Sequence, residues 1–231
     1  MHKLLCEACK VITTSLDLCC PSLQAAALAL QHGWAINLGG GMHHAHRGDG
    51  SGWCVYDDIY LAIRRLRAAS GGRAAQRVLY IDLDTHQGNG VARDKLHYSR
   101  GASGAGKTYN AGIFPLDEYA KAGVDLRIEL ASGCGDAQYL GAVAEGLERA
   151  FREFPAPDLV VYNAGTDVLA GDALGRLGLS AGAVVRRDEA VWAAAAAAKS
   201  PIAMVLSGGY TPASTPCIAS SIASLFRKFG L

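Results

Sequence analysis

No stretch of this chain is apolar for the ~20 residues that a membrane-spanning helix needs, and the alanine tract at 193–198 forms helix well but is weakly hydrophobic. The amino terminus, Met1-His2-Lys3-Leu4-Leu5-Cys6, carries a charge but lacks the apolar core of about 7–15 residues that defines a secretory signal. Neither sign of charge is in surplus. Lys and Arg number 22 against 21 Asp and Glu, a formal net charge of +1, which excludes the basic footprint that phosphate neutralisation by a direct nucleic-acid binder requires. Seven cysteines in an unsecreted chain are expected to be reduced. Cys6-x-x-Cys9 followed by Cys19-Cys20 lacks a two-residue spacer in its second pair and a histidine at finger spacing, so it reads as free thiols rather than a zinc finger. The expectation is a soluble protein that is neither secreted nor bound to membranes.

What is present points to one globular unit. A chain of 231 residues with 50% hydrophobic content can bury about 70% of its unfolded surface as a single domain. Apolar runs bounded by turn residues predict strands at 34–38, 78–83, 126–130, 159–162 and 202–206. Between them, helical periodicity predicts helices at 23–31, 57–68, 137–154, 183–199 and 213–229. That alternation is the pattern of a three-layer α/β fold, a mostly parallel sheet flanked by helices.

In such a fold, chemistry gathers where strands end. The run Val78-Leu79-Tyr80-Ile81 stops at Asp82-Leu83-Asp84-Thr85-His86-Gln87-Gly88-Asn89-Gly90, and alternation on an extended segment puts Asp82, Asp84 and His86 on one face. Two carboxylates and an imidazole together suit a metal, although each alone also suits a cap or a satisfied polar residue. Three further exits carry polar groups: Gly39-Gly40-Gly41-Met42-His43-His44, Asn163-Ala164-Gly165-Thr166-Asp167 and Ser207-Gly208-Gly209-Tyr210.

These segments, in this order and together with Gly33-Trp34-Ala35-Ile36-Asn37, resemble the zinc-dependent histone deacetylases, most of all the class IV branch. The resemblance runs over roughly residues 33–226 and implies an arginase/deacetylase-like fold. It implies zinc held by Asp84, His86 and Asp167, with His44 as general base, His43 as its electrostatic or acid partner, and Tyr210 as donor to the oxyanion. Asp82 matches a carboxylate behind His43, with its backbone touching a structural monovalent cation, K+, and Asn89 matches the residue orienting His44, where most of the wider family has Asp. The substrate class implied is acetyl-lysine or longer fatty-acyl-lysine in proteins, histone tails included, in nucleus or cytoplasm. Gly52 and Trp53, Phe114 and Leu174 match the acyl-lysine channel; Trp53 either narrows that channel or packs in the core.

Three features run against the resemblance. Residues 1–21 do not resemble the early strand, helix and loops of the family and are expected to be a divergent leader without fixed structure ahead of a catalytic domain at 22–231; the paired histidines come early, as in an N-terminally truncated chain. Residues 94–109 are too rich in glycine for a central strand, so a sheet element is expected to be missing or replaced by a loop. Within them, residues 101–108 match G-x-x-x-x-G-K-T, the phosphate-cradling P-loop, although Gly112 and Pro115 would break the helix that should follow. A catalytically inactive homologue with a binding or regulatory role, and a nucleotide-binding protein, are therefore the alternatives to a deacylase.

Overall fold

A computed structural model describes residues 20–98 and 103–231. Residues 1–19, with Cys6, Cys9 and Cys19, lie outside the described residues, as do Gly101 and Ala102 of the P-loop-like segment. Six strands form one parallel sheet: β1 (Trp34–Asn37), β2 (Val78–Asp82), β3 (Ser103–Asn110), β4 (Leu126–Leu130), β5 (Leu159–Asn163) and β6 (Ile202–Val205), in the order β1-β6-β5-β2-β3-β4. Seven helices among the described residues flank it: α1 (Pro21–His32), α2 (Asp58–Ala69), α3 (Asn89–Tyr98), α4 (Glu118–Lys121), α5 (Asp136–Glu153), α6 (Ala181–Ala197) and α7 (Ser214–Phe229). This is the expected three-layer α/β architecture of the arginase/deacetylase kind.

The layers follow from the two-residue period of the strands. Leu79, Ile81, Val160, Tyr162, Ile202 and Met204 face one side, where they pack with Tyr139 and Val143 of α5, Val191 and Trp192 of α6 and Leu225 of α7. Val78, Tyr80, Leu159, Val161 and Ala203 face the other, against Leu23 and Ala26 of α1, Ile59 and Ile63 of α2 and Val91 of α3. Both central strands, β2 and β5, are buried at every position, as continuous apolar runs require. Asp57 and Ser180 begin α2 and α6 by accepting the Tyr60 and Ala183 amides (2.8 and 3.1 Å).

One expectation is overturned. Residues 103–110 are not a loop: β3 pairs in parallel with β2 on one side, from Val78↔Ser103 to Asp82↔Lys107, and with β4 on the other. Two neighbours with unpaired ladder groups supply what the glycines lack in intrinsic preference. A strand through Lys107 and Thr108 also removes the P-loop reading, which needs a helix to open there.

The connections run outward from the middle. From β2 the chain steps through β3 to β4, then returns to place β5 on the other side of β2 and continues to β6. The direction reverses between β2 and β5, and at such a switch point the loops leaving the carboxyl ends of adjacent strands separate into a crevice.

Candidate metal centre

The loops leaving β1, β2, β5 and β6 converge at that crevice. The β1 exit delivers the histidine pair through a glycine turn. Gly41 has φ +84°, and a Cβ there would lie 2.3 Å from Asn163 Oδ1 and 2.9 Å from the Ser207 Cα, so the close approach requires glycine. Asp58, in the first turn of α2, holds the turn by accepting the Gly41 and Met42 amides (3.0 and 2.7 Å) and the Ser22 hydroxyl. At the α3 N-terminus the Gly90 and Val91 amides donate to the His43 carbonyl (2.9 and 3.3 Å).

Each imidazole is oriented by its Nδ1. His43 Nδ1 is 3.0 Å from Asp82 Oδ2, and His44 Nδ1 is 2.8 Å from Asn89 Oδ1. Both oxygens accept, so the hydrogen-bond network assigns a proton to each Nδ1. The two Nε2 atoms then face one another at 3.2 Å. Burial, and after it His43, pulls the His44 imidazole down to about 3, while the Asn89 hydrogen bond opposes the shift.

Past β2 and β5 stand Asp84, His86 and Asp167, all buried, each offering a donor atom within 4.8 Å of the others. His86 Nδ1 is 3.2 Å from Asp84 Oδ1 and 2.8 Å from Asp167 Oδ2. The carboxylates are held in place by backbone: His86 and Gly208 amides and the Ser207 hydroxyl reach Asp84 (2.8, 3.0 and 2.9 Å), and the Thr85 amide reaches Asp167 (3.0 Å). A Cβ on Gly208 would lie 2.7 Å from Asp84 Oδ2 and 2.8 Å from Asp167 Oδ2, so the β6 exit lies flat on both carboxylates.

The electrostatics of this cluster ask for a cation. Burial and the Asp84 carboxylate lift Asp167 to about 7 against the pull of His86. Burial opposes charging His86, but its hydrogen bonds to Asp167 and Asp84 outweigh that and raise the imidazole to about 9. A proton on His86 Nδ1 thus serves both carboxylates. Two carboxylates and an imidazole converging on one point are also a donor set that fits a divalent ion of the zinc type, with coordination positions left over. Arg187 of α6, fully buried, braces the exits of β2 and β5 together through the carbonyls of Leu83, Ala164 and Gly165 (3.3, 3.1 and 2.6 Å).

Tyr210 follows the Ser207-Gly208-Gly209 turn, fixed by its amide on Asp172 (2.8 Å), with its ring 6.3 Å from that of His86. Burial and then the Asp84 and Asp167 carboxylates raise its phenol, so it stays protonated. Trp53 stands 5.7 Å from the Tyr210 ring at a T-shaped angle and is 78% exposed, which removes the core-packing alternative. The Phe114 ring lies 5.0 Å from His44, edge to face. Gly52 packs under His44 so closely that a Cβ would lie 2.4 Å from its Cδ2. Leu174 is exposed, and its amide shares Asp172 with that of Tyr210 (3.0 Å).

Sequence reasoning passed over four supporting side chains. Asn163 donates to Asp82 Oδ1 and Ser207 Oγ (3.2 and 3.1 Å), and Ser207 to Asp84; both sat inside motifs read for their neighbours. Asp117 accepts from Asn89 (3.4 Å) and from Arg93 (2.5 Å). Lys107 belonged to the P-loop text.

A parallel sheet carrying a buried Asp–His–Asp set beside paired histidines at its switch point defines a candidate metal-hydrolase centre. Among known proteins, residues 5–226 match the histone deacetylase domain, and the chain belongs to that family. It is 42% identical over 211 residues to histone deacetylase 2 of Arabidopsis thaliana, covering 90% of this chain and 52% of the relative. To an uncharacterized protein of Picosynechococcus it is 36% identical over 190 residues, covering 82% and 60% respectively. Histone deacetylase RPD3 of Saccharomyces cerevisiae shares 34% over 157 residues, 63% of this chain and 34% of the relative. The chain thus spans about half the length of these first two curated relatives.

Proposed function

We propose that this chain is a zinc-dependent hydrolase of N6-acyl-lysine in proteins, histone tails among them, of the class IV type and working in the nucleus or cytoplasm. The observation that carries the reading is the buried convergence of Asp84, His86 and Asp167 within 4.8 Å of one another, directly beside the hydrogen-bonded pair His43 and His44. Zinc, when bound by those three residues, supplies Lewis acidity that polarises the acyl carbonyl and makes water a nucleophile near neutral pH.

The remaining work falls to the chain's own side chains. His44, with Nδ1 fixed on Asn89, presents Nε2 as the atom that takes a proton from the attacking water and returns it to the departing lysine amine. His43, anchored on Asp82, is the electrostatic or acid partner of His44 beside the forming oxyanion. Tyr210 donates its phenol hydrogen to the carbonyl oxygen as negative charge gathers there. Trp53, Phe114, Gly52 and Leu174 form the approach, with aromatic faces against the aliphatic stem of an acetyl- or longer fatty-acyl-lysine.

Peptides bearing acetyl-lysine and myristoyl-lysine test the reading. The parent chain deacylates at least one of them, releasing acetate or myristate and leaving an unmodified lysine in the peptide, and Tyr210→Phe lowers kcat by about 100-fold while zinc content is unchanged. Zinc binding with no turnover of either peptide would assign a binding or regulatory role instead.

A further inference from the structure

Lys107 is a fully engaged cation with no part in the reaction just described. It is 5% exposed, and its position in β3 is in register with Asp82 of β2. Its ammonium donates to Asp82 Oδ1 (2.6 Å) and to the Asp84 carbonyl oxygen (2.8 Å). Asp82 Oδ2 in turn holds His43 Nδ1 (3.0 Å) and the Tyr80 hydroxyl (2.8 Å). The lysine therefore grips, from below, both the carboxylate that orients His43 and the backbone of a metal-binding residue.

An ammonium and a potassium ion are similar in size and take similar ligands, carboxylate and carbonyl oxygens. Two cations cannot share this pair of oxygens without strong repulsion across a buried site.

We propose that Lys107 is a tethered counter-cation: a positioning residue whose ammonium takes the place and the oxygen ligands of an inorganic monovalent cation, and so fixes Asp82 beneath His43 without one. The potassium ion expected beside Asp82 is then not needed there. Nucleotide phosphate is likewise not the partner of this lysine, because its donors are directed inward to Asp82 and Asp84. The role in catalysis rests on the deacylase reading above; the role in anchoring Asp82 does not.

The test compares the parent, Lys107→Ser and Lys107→Arg at constant ionic strength, with K+ replaced stepwise by tetramethylammonium, which is too large for the site. For the parent, neither Tm nor kcat/KM responds to K+. For Lys107→Ser, Tm falls by more than about 5 °C and the low-field proton resonance of the His43–Asp82 hydrogen bond disappears. Both recover in part, and saturably, with K+ or methylammonium. Lys107→Arg, which keeps the charge, retains the resonance and guards against a serine variant that fails to fold. A parent whose Tm or resonance depends saturably on K+, or a serine variant that no cation restores while the arginine variant has also lost the resonance, would overturn the proposal. Tm and the resonance are read without substrate, so they decide the anchoring role even if no acyl-lysine is cleaved.

Discussion

The general-base role proposed for His44 depends on how far its surroundings let it hold a proton, and the proposal gives Asn89 a part in setting that extent. A neutral amide oxygen orients the ring but stabilises imidazolium less than a carboxylate does. With burial and His43 bringing the imidazole to about 3, the native state binds fewer protons than the unfolded chain between that value and about 6.5. The stability it contributes is therefore complete above about pH 6.5 and is lost as pH falls toward about 3. Asn89→Asp reverses part of this: His44 becomes more basic, and the acid limb of kcat/KM moves to higher pH by about one unit. The gain is limited because the new carboxylate faces Asp117, which Arg93 only partly neutralises. An unmoved pH–rate profile would contradict the role given to Asn89. At this scale the sequence was most informative for residues that end strands, since Asp84, His86, Asp167 and both histidines stand in short motifs. Lys107 was illegible because its partners, Asp82 and Asp84, are 25 and 23 residues away and are reached only by strand pairing.

Elements differ in how far local sequence determines them. β2, β5 and β6 are apolar runs buried on both faces, and helices α2, α5 and α7 carry clear one-sided patterns, so all were legible within a few residues. β3 and α3 were not. The Asn89-Gly90 opening of α3 reads as a turn, yet Gly90 is there because a Cβ would lie 1.9 Å from the Ala45 carbonyl oxygen. In β3, glycine argues against a strand locally, and pairing on both sides overrides it. Gly106 shows the residual weakness: a Cβ there would meet nothing within 4 Å, and the residue borders hollows on both faces of the sheet, one lined by Tyr60, Ile63 and Tyr80, the other by Leu126, Val143 and Leu147. Gly106→Ala should raise stability by about 0.5–1 kcal/mol, through lower backbone entropy in the unfolded chain and a methyl group in open space. Urea unfolding checks it, and a lower midpoint would show that β3 needs glycine for a reason other than those hollows.

For the whole molecule, the switch point between β2 and β5 makes folding and the proposed metal binding one problem. Asp84 and His86 come from one strand exit and Asp167 from another 81 residues later than His86, so the donor set exists only once the sheet is assembled. An ion that binds the native state and not the unfolded chain stabilises it by about 2.7 kcal/mol when present at a hundred times its Kd. Removing metal with a chelator should therefore lower the Tm of the parent, and Asp167→Ala should abolish that difference. The most direct test is native mass spectrometry of the purified chain and of Asp167→Ala. One zinc per compactly folded parent chain, absent from the variant, is the expected result; a compact parent that carries no zinc, or a variant that still does, would contradict the assignment of Asp84, His86 and Asp167 as the metal centre.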